Sequence, residues 1–121
     1  MISRVKFIGI CVRDQERALQ FYTEKLGFLL KTDQPMGHQR WIELEIPGAQ
    51  TGVVLFTPQG QEDRIGTFVN TSLECDNLDA TYQELKSRGV EFAGDPETQP
   101  WGRFAMLKDP DGNSFVLSSA T

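Results

Sequence analysis

One pattern occurs twice in this chain. Asp14 closes the apolar run Phe7-Ile8-Gly9-Ile10-Cys11-Val12 and is followed thirteen residues later by Gly27. Asp76 closes the run Phe68-Val69-Asn70-Thr71-Ser72-Leu73 and is followed thirteen residues later by Gly89. An Asp side chain accepts from the free amides that open a helix, and a glycine takes the left-handed conformation that ends one. Each copy therefore reads as a strand, a capped helix and a stop. An apolar residue, Phe28 or Val90, follows each glycine. The later parts correspond too. Arg40 to Ile46 runs into Pro47-Gly48, and Arg103 to Lys108 runs into Asp109-Pro110-Asp111-Gly112, with an offset of 62 residues at the helices. Neither copy carries enough apolar surface to be stable alone, so the repeat implies one pseudo-twofold domain over residues 1–121. Module one covers about 1–58, the linker about 59–65 and module two about 66–121. The groove between the copies is the expected place for function.

A chain of 121 residues, 39% apolar and 24% charged, buries a core without disulfides or a structural metal. A net charge of -5 argues against nucleic acid, whose phosphates call for a basic stripe. The first apolar run is broken by Gly9 and ends at Arg13. It is too short for an export signal or a membrane span. The expectation is a cytoplasmic protein with two reduced cysteines and no membrane partner. Strand alternation places Cys11 and Cys75 on opposite faces of their strands, which weakens any disulfide between them.

The expected elements are a strand over Val5–Val12, a helix over Asp14–Leu26 and a strand from Phe28 to Lys31, broken by Gln34-Pro35-Met36-Gly37. Strands over Trp41–Ile46 and Gly52–Thr57 follow, then a linker over Pro58–Ile65. Module two repeats the order with a strand Thr67–Glu74, a helix Asp76–Arg88, a short strand Val90–Phe92, and strands Arg103–Lys108 and Asn113–Leu117. Ala18, Leu19, Tyr22 and Leu26 form one helix stripe, and Leu78, Tyr82 and Leu85 the other. Pro110 and Gly112 suit a type I turn in the last hairpin. The fold class is α+β, βαβββ twice, forming a curved sheet around a groove.

The paired modules, the Val12-Arg13-Asp14 lead-in to a helix carrying Phe21-Tyr22 and Leu26-Gly27-Phe28, and the closing Asp109-Pro110-Asp111-Gly112-Asn113 together resemble the vicinal oxygen chelate superfamily. That superfamily includes glyoxalase I, extradiol dioxygenases, fosfomycin resistance enzymes and bleomycin resistance proteins. The resemblance spans essentially the whole chain. It implies a divalent metal in the groove, held by His and Glu on the first and last strands of each module, which chelates vicinal oxygens of a substrate. Carried over residue by residue, those positions hold Phe7, Leu55, Asn70 and Val116. Phe, Leu and Val donate no electron pair, and an Asn amide is a weak ligand, whereas such a site needs three or four of His, carboxylate or thiolate. The chain has one histidine, His38, in a loop. No metal and no cofactor is expected. Trp41-Ile42-Glu43-Leu44 looks like the stretch around a glyoxalase Glu ligand, but Glu43 lies one strand earlier.

Projecting period-2 alternation from those positions assigns Phe7, Gly9, Cys11, Trp41, Glu43, Val53 and Leu55 of module one to the groove. Module two adds Asn70, Ser72, Glu74, Trp101, Arg103, Ala105, Ser114, Val116 and Ser118. Two indoles, carboxylates, a guanidinium and small polar groups suit a pocket that stacks an apolar or planar body and fixes it by a few polar contacts. Trp41 and Trp101 either anchor a ligand or pack against loops or a partner. Glu43 and Arg103 form an ion pair across the groove, or an unpaired Glu43 serves as a general base. Asn70 and Ser72 orient a substrate carbonyl or satisfy backbone groups. The leading expectation is a small-molecule-binding homodimer of the bleomycin resistance type, taking an amphiphilic ligand without a metal. The alternative is a glyoxalase-like lyase, isomerase or dioxygenase using Glu43 as base, or as an unorthodox ligand with Glu74 and His38. A third is an accessory dimer with no ligand.

Overall fold

The computed structural model describes residues 1–67 and 71–119 and resolves two compact units that meet at Ile65 and Gly66. Module one contains β1 (Phe7–Cys11), α1 (Gln15–Gln20) continuing into a π-helical turn (Phe21–Lys25), β2 (Leu29–Met36), β3 (Gln39–Glu45) and β4 (Gly52–Phe56), with a 3-10 turn at Glu62–Arg64. Its sheet order is β1-β4-β3-β2, parallel between β1 and β4 and antiparallel elsewhere. Module two contains β5 (Ser72–Cys75), α2 (Leu78–Ser87), β6 (Glu91–Phe92), β7 (Glu97–Gln99), β8 (Gly102–Lys108) and β9 (Ser114–Ser119). Its order is β5-β9-β8-β6, and β7 also pairs with β8. β5 and β9 repeat the parallel pairing of β1 and β4. The α+β class and the doubled strand–helix–strands plan are thus what the repeat in the sequence specified.

The helix caps correct one half of that repeat. Asp14 Oδ1 accepts from Arg17 N at 3.0 Å, as the spacing predicts. In module two the cap is Asn77, not Asp76: Asn77 Oδ1 accepts from Ala80 N at 3.0 Å. Both residue types cap well, so composition did not discriminate between neighbours. Thirteen residues separate Asp14 from Gly27, but twelve separate Asn77 from Gly89. The π-helical turn takes up the extra residue, since an i→i+5 bond such as Leu26 N to Phe21 O (3.2 Å) encloses one residue more than an α-helical bond. Both helices then end on a left-handed glycine, Gly27 at φ 81° and Gly89 at φ 88°.

Each helix covers one face of its own sheet. In module one the covered face carries Ile10, Ile42, Leu44, Val53 and Leu55, buried with Val12, Ala18, Phe21, Tyr22 and Phe28. In module two it carries Ala105, Leu107, Phe115 and Leu117, buried with Leu78, Tyr82, Leu85 and Val90. Gln15, itself buried, ties the start of α1 to the sheet by donating to the carbonyls of Arg40 (2.6 Å) and Leu55 (3.0 Å) and accepting from Arg40 N (2.9 Å).

Two strand boundaries differ from expectation. β2 runs through Pro35 to Met36, and the turn falls at Gly37 and His38. Pro35 is accommodated because β2 is an edge strand, where a missing amide costs no ladder bond. β7, Glu97-Thr98-Gln99, is short and polar, and its sequence carries no alternation to announce it. The last hairpin turns at Asp109 as expected, with Gly112 N donating to Asp109 O at 3.0 Å. The buried Asp109 carboxylate accepts from the amides of Asp111 and Asn113, both at 2.9 Å, and from Asn113 Nδ2 at 2.8 Å.

Candidate functional site

The face of module one opposite its helix follows from the strand register. Phe7, Gly9 and Cys11 on β1 lie beside Gly52, Val54 and Phe56 on β4, and Glu43 on β3 lies opposite Val54. Trp41 falls on this same face, two residues before Glu43. Phe7 and Trp41 meet edge to face, with centroids 5.6 Å apart and planes at 76°. The Phe56 ring lies across Gly9, so that a Cβ at Gly9 would fall 2.8 Å from Phe56 Cε1. The face is thus an aromatic surface with one carboxylate at its margin.

Of the residues projected onto this face, Phe7, Gly9, Cys11, Trp41 and Glu43 lie on it. Val53 and Leu55 do not: Leu55 pairs with Ile10 and Ile42 on the helix-covered face and is fully buried. The β4 residues on the aromatic face are Val54 and Phe56. Val53-Val54-Leu55 is apolar throughout, so alternation gave no phase, and the count from the family position was one residue out. The register with Glu43 supplies the phase.

In module two Ser72, Glu74, Val116 and Ser118 share the face opposite α2, since Ser72 pairs with Val116 and Glu74 with Ser118. Ser114 falls on the same face two residues before Val116. Val116 is half-buried, and Ser72 and Glu74 are exposed. Asn70 lies outside the described residues. Phe104 and Met106 take the places projected for Arg103 and Ala105, because Phe104 pairs with Ser118 and Met106 with Val116. Ala105 is buried on the helix side. Arg103 turns to α2, where its Nη2 and Nε reach Asp79 at 2.9 and 3.2 Å. That pairing holds the Arg103 guanidinium's pKa up and the Asp79 carboxyl's down. Trp101 stands at the β7–β8 turn, exposed and stacked on Phe104 at 5.0 Å.

The Glu43–Arg103 ion pair is therefore corrected. Glu43 meets Lys31 in its own module, Oε2 to Nζ 3.5 Å, and Arg103 meets Asp79 in the other. A buried carboxylate with a cationic partner also departs from the unpaired Glu43 that a general base requires. Lys31 was missed because it is an extra residue in β2. Leu30 pairs with Leu44 and Thr32 with Glu43, leaving Lys31 in a β-bulge. His38, exposed at the β2–β3 turn, lines a separate polar cleft of about 470 Å3 with Arg13 and Gln39. Burial pushes the Cys11 thiol up, against a smaller opposing effect of Arg64.

Among the described residues, the side chains at and beside the family's ligand positions do not fit a first-row metal. Phe7, Val54, Phe56 and Val116 carry no donor atom in their side chains. Among the described residues no three of His, Cys, Asp and Glu are grouped to hold an ion.

The doubled strand–helix–strands plan, with an aromatic face on module one, defines a class of protein, and comparison with known sequences and structures agrees. Residues 4–117 match the Glyoxalase/Bleomycin resistance protein/Dioxygenase superfamily. The chain is 39% identical to the uncharacterised protein YetH of Bacillus subtilis (strain 168), covering 97% of this chain and 98% of YetH. It is similar to the crystal structure of TnmS3, an antibiotic binding protein from Streptomyces sp. CB03234, at 40% identity and a TM-score of 0.89, covering 99% and 98% of the two chains. A superfamily member from Sphaerobacter thermophilus DSM 20745 is equally similar, at 40% identity and a TM-score of 0.89 over 98% of each chain. The chain belongs to the Glyoxalase/Bleomycin resistance protein/Dioxygenase superfamily.

Proposed function

We propose that this protein binds a small, ring-bearing amphiphilic molecule, without a metal, on the aromatic face of module one, and works as a cytoplasmic homodimer. One observation carries the reading: in module one Phe7, which has no donor atom, stands at a ligand position of the family, and with Trp41 and Phe56 it makes an aromatic surface. Such a surface gains from the desolvation of a ring and from edge-to-face or stacked contact with it. The antibiotic-binding neighbour TnmS3 supports the same reading. A Glu43 acting as general base would have to leave its contact with Lys31.

Equilibrium dialysis with a naphthalene-based ligand tests this. Trp41→Ala should weaken binding roughly thirtyfold, about 2 kcal/mol for a truncated aromatic anchor. Unchanged affinity in a folded Trp41→Ala protein would remove Trp41 from the site.

A further inference from the structure

We propose that the bulged Lys31 selects the ligand, directing the aromatic face toward ring compounds that carry an anionic oxygen, such as an aryl carboxylate or phenolate. The inference rests on the binding reading above and adds the charge of what is bound. Four observations carry it.

Glu43 is the buried carboxylate of this face, with 11% of its side chain exposed, and its charge is already met by Lys31 at 3.5 Å. A cationic ligand would have to displace that ammonium, exchanging one ion pair for another with little net gain. The Lys31 side chain is 52% exposed, so its ammonium presents donors to solvent beyond the one facing Glu43. Those donors can exchange water for an acceptor on a bound molecule.

The surroundings favour the same sign. Lys31 and Glu43 line a small cleft of about 120 Å3 with Arg4, Lys6 and Glu45. Three cations face two carboxylates there, in a chain whose net charge is -5. Local and overall charge oppose each other, which marks the cleft as the place where an anion is tolerated.

The bulge is the device that aims the side chain. The register shift between Leu30 and Thr32 removes Lys31 from the normal alternation of the edge strand. Finally, the spacing fits a fused ring. Trp41 and Glu43 are two residues apart on β3, roughly 7 Å along a strand. A naphthalene-sized body resting on Trp41 and Phe7 therefore brings its substituent to Lys31.

Equilibrium dialysis at low salt with 2-naphthoate, 2-naphthalenemethanol and 2-naphthylmethylammonium tests the proposal. The wild type should bind the carboxylate about tenfold or more tighter than the ammonium, the size of one charge-assisted hydrogen bond. Lys31→Met should lose that preference and leave the alcohol's affinity within about twofold, and Lys31→Arg should retain the preference. Because Lys31→Met also bares the Glu43 charge, Lys31→Met/Glu43→Gln is measured beside it. The preference should be absent there too, and its return would show that Lys31 only neutralises Glu43, overturning the proposal. Equal binding of all three probes by the wild type, or preference for the ammonium, overturns the Lys31 assignment and leaves the binding reading standing. Failure of all three to bind the wild type overturns both.

Discussion

Replacing Leu55 by alanine separates the two faces of β4 and so tests the register on which the site is built. Leu55 is fully buried between Ile10 and Ile42, on strands whose hydrogen bonds fix their backbones. The site cannot collapse around a smaller side chain, so Leu55→Ala should cost about 3 kcal/mol, within the usual range for a core leucine. For a chain of 121 residues, that corresponds to a fall in Tm of about 12 °C. Urea unfolding followed by circular dichroism measures it as a lower midpoint with an unchanged slope. Phe56→Ala is the partner experiment. Phe56 is half-exposed on the aromatic face, so it should cost about 1 kcal/mol in stability, and its main effect should be weaker binding of ring compounds. A Leu55→Ala protein within about 1 kcal/mol of wild type that has lost binding would refute the register argument. It would return Leu55 to the face where the sequence projection put it.

Gly66→Ala should be strongly destabilising. Gly66 has φ 74°, and a Cβ there would fall 2.2 Å from Asp111 O, so left-handed strain adds to displacement of the last turn. A loss of at least about 2 kcal/mol in urea unfolding is expected, against almost none for Gly94→Ala, whose Cβ meets nothing within 4 Å. Acid stability should depend on Asp33, whose carboxyl is held below the usual range first by hydrogen bonds from Arg40. A lowered folded-state pKa adds stability above about pH 4, lost as pH falls through the lowered value. Asp33→Asn should therefore be less stable at neutral pH and lose less on acidification, as read from unfolding free energies between about pH 5 and 2.

What the sequence made legible follows from where its periodicities have one phase. The doubled helix was clear because Asp14, Gly27 and Gly89 each do one physical job at one position. Asp76 beside Asn77 offered two equivalent caps, and only the hydrogen bond to Ala80 decides between them. The aromatic face was legible where polar and apolar residues alternate, as in Trp41-Ile42-Glu43-Leu44. It failed in Val53-Val54-Leu55, where both faces are apolar, and in Arg103-Phe104-Ala105-Met106. There a charged residue was assigned to the groove face, although the register puts it on the α2 side with Ala105, where it meets Asp79. Lys31 could not be read at all, because a bulge is set by how β2 pairs with β3 and leaves no mark in β2 alone.

The central proposal is that an aromatic surface on module one, and not a metal, holds the ligand. Native mass spectrometry of the protein, after incubation with equimolar zinc, nickel, manganese or ferrous iron and buffer exchange, tests it most directly. The account predicts a homodimer whose mass contains no stoichiometric first-row metal and shifts by one or more copies of an added ring compound. One metal ion held per chain through the exchange, and released by Glu43→Gln, would contradict it.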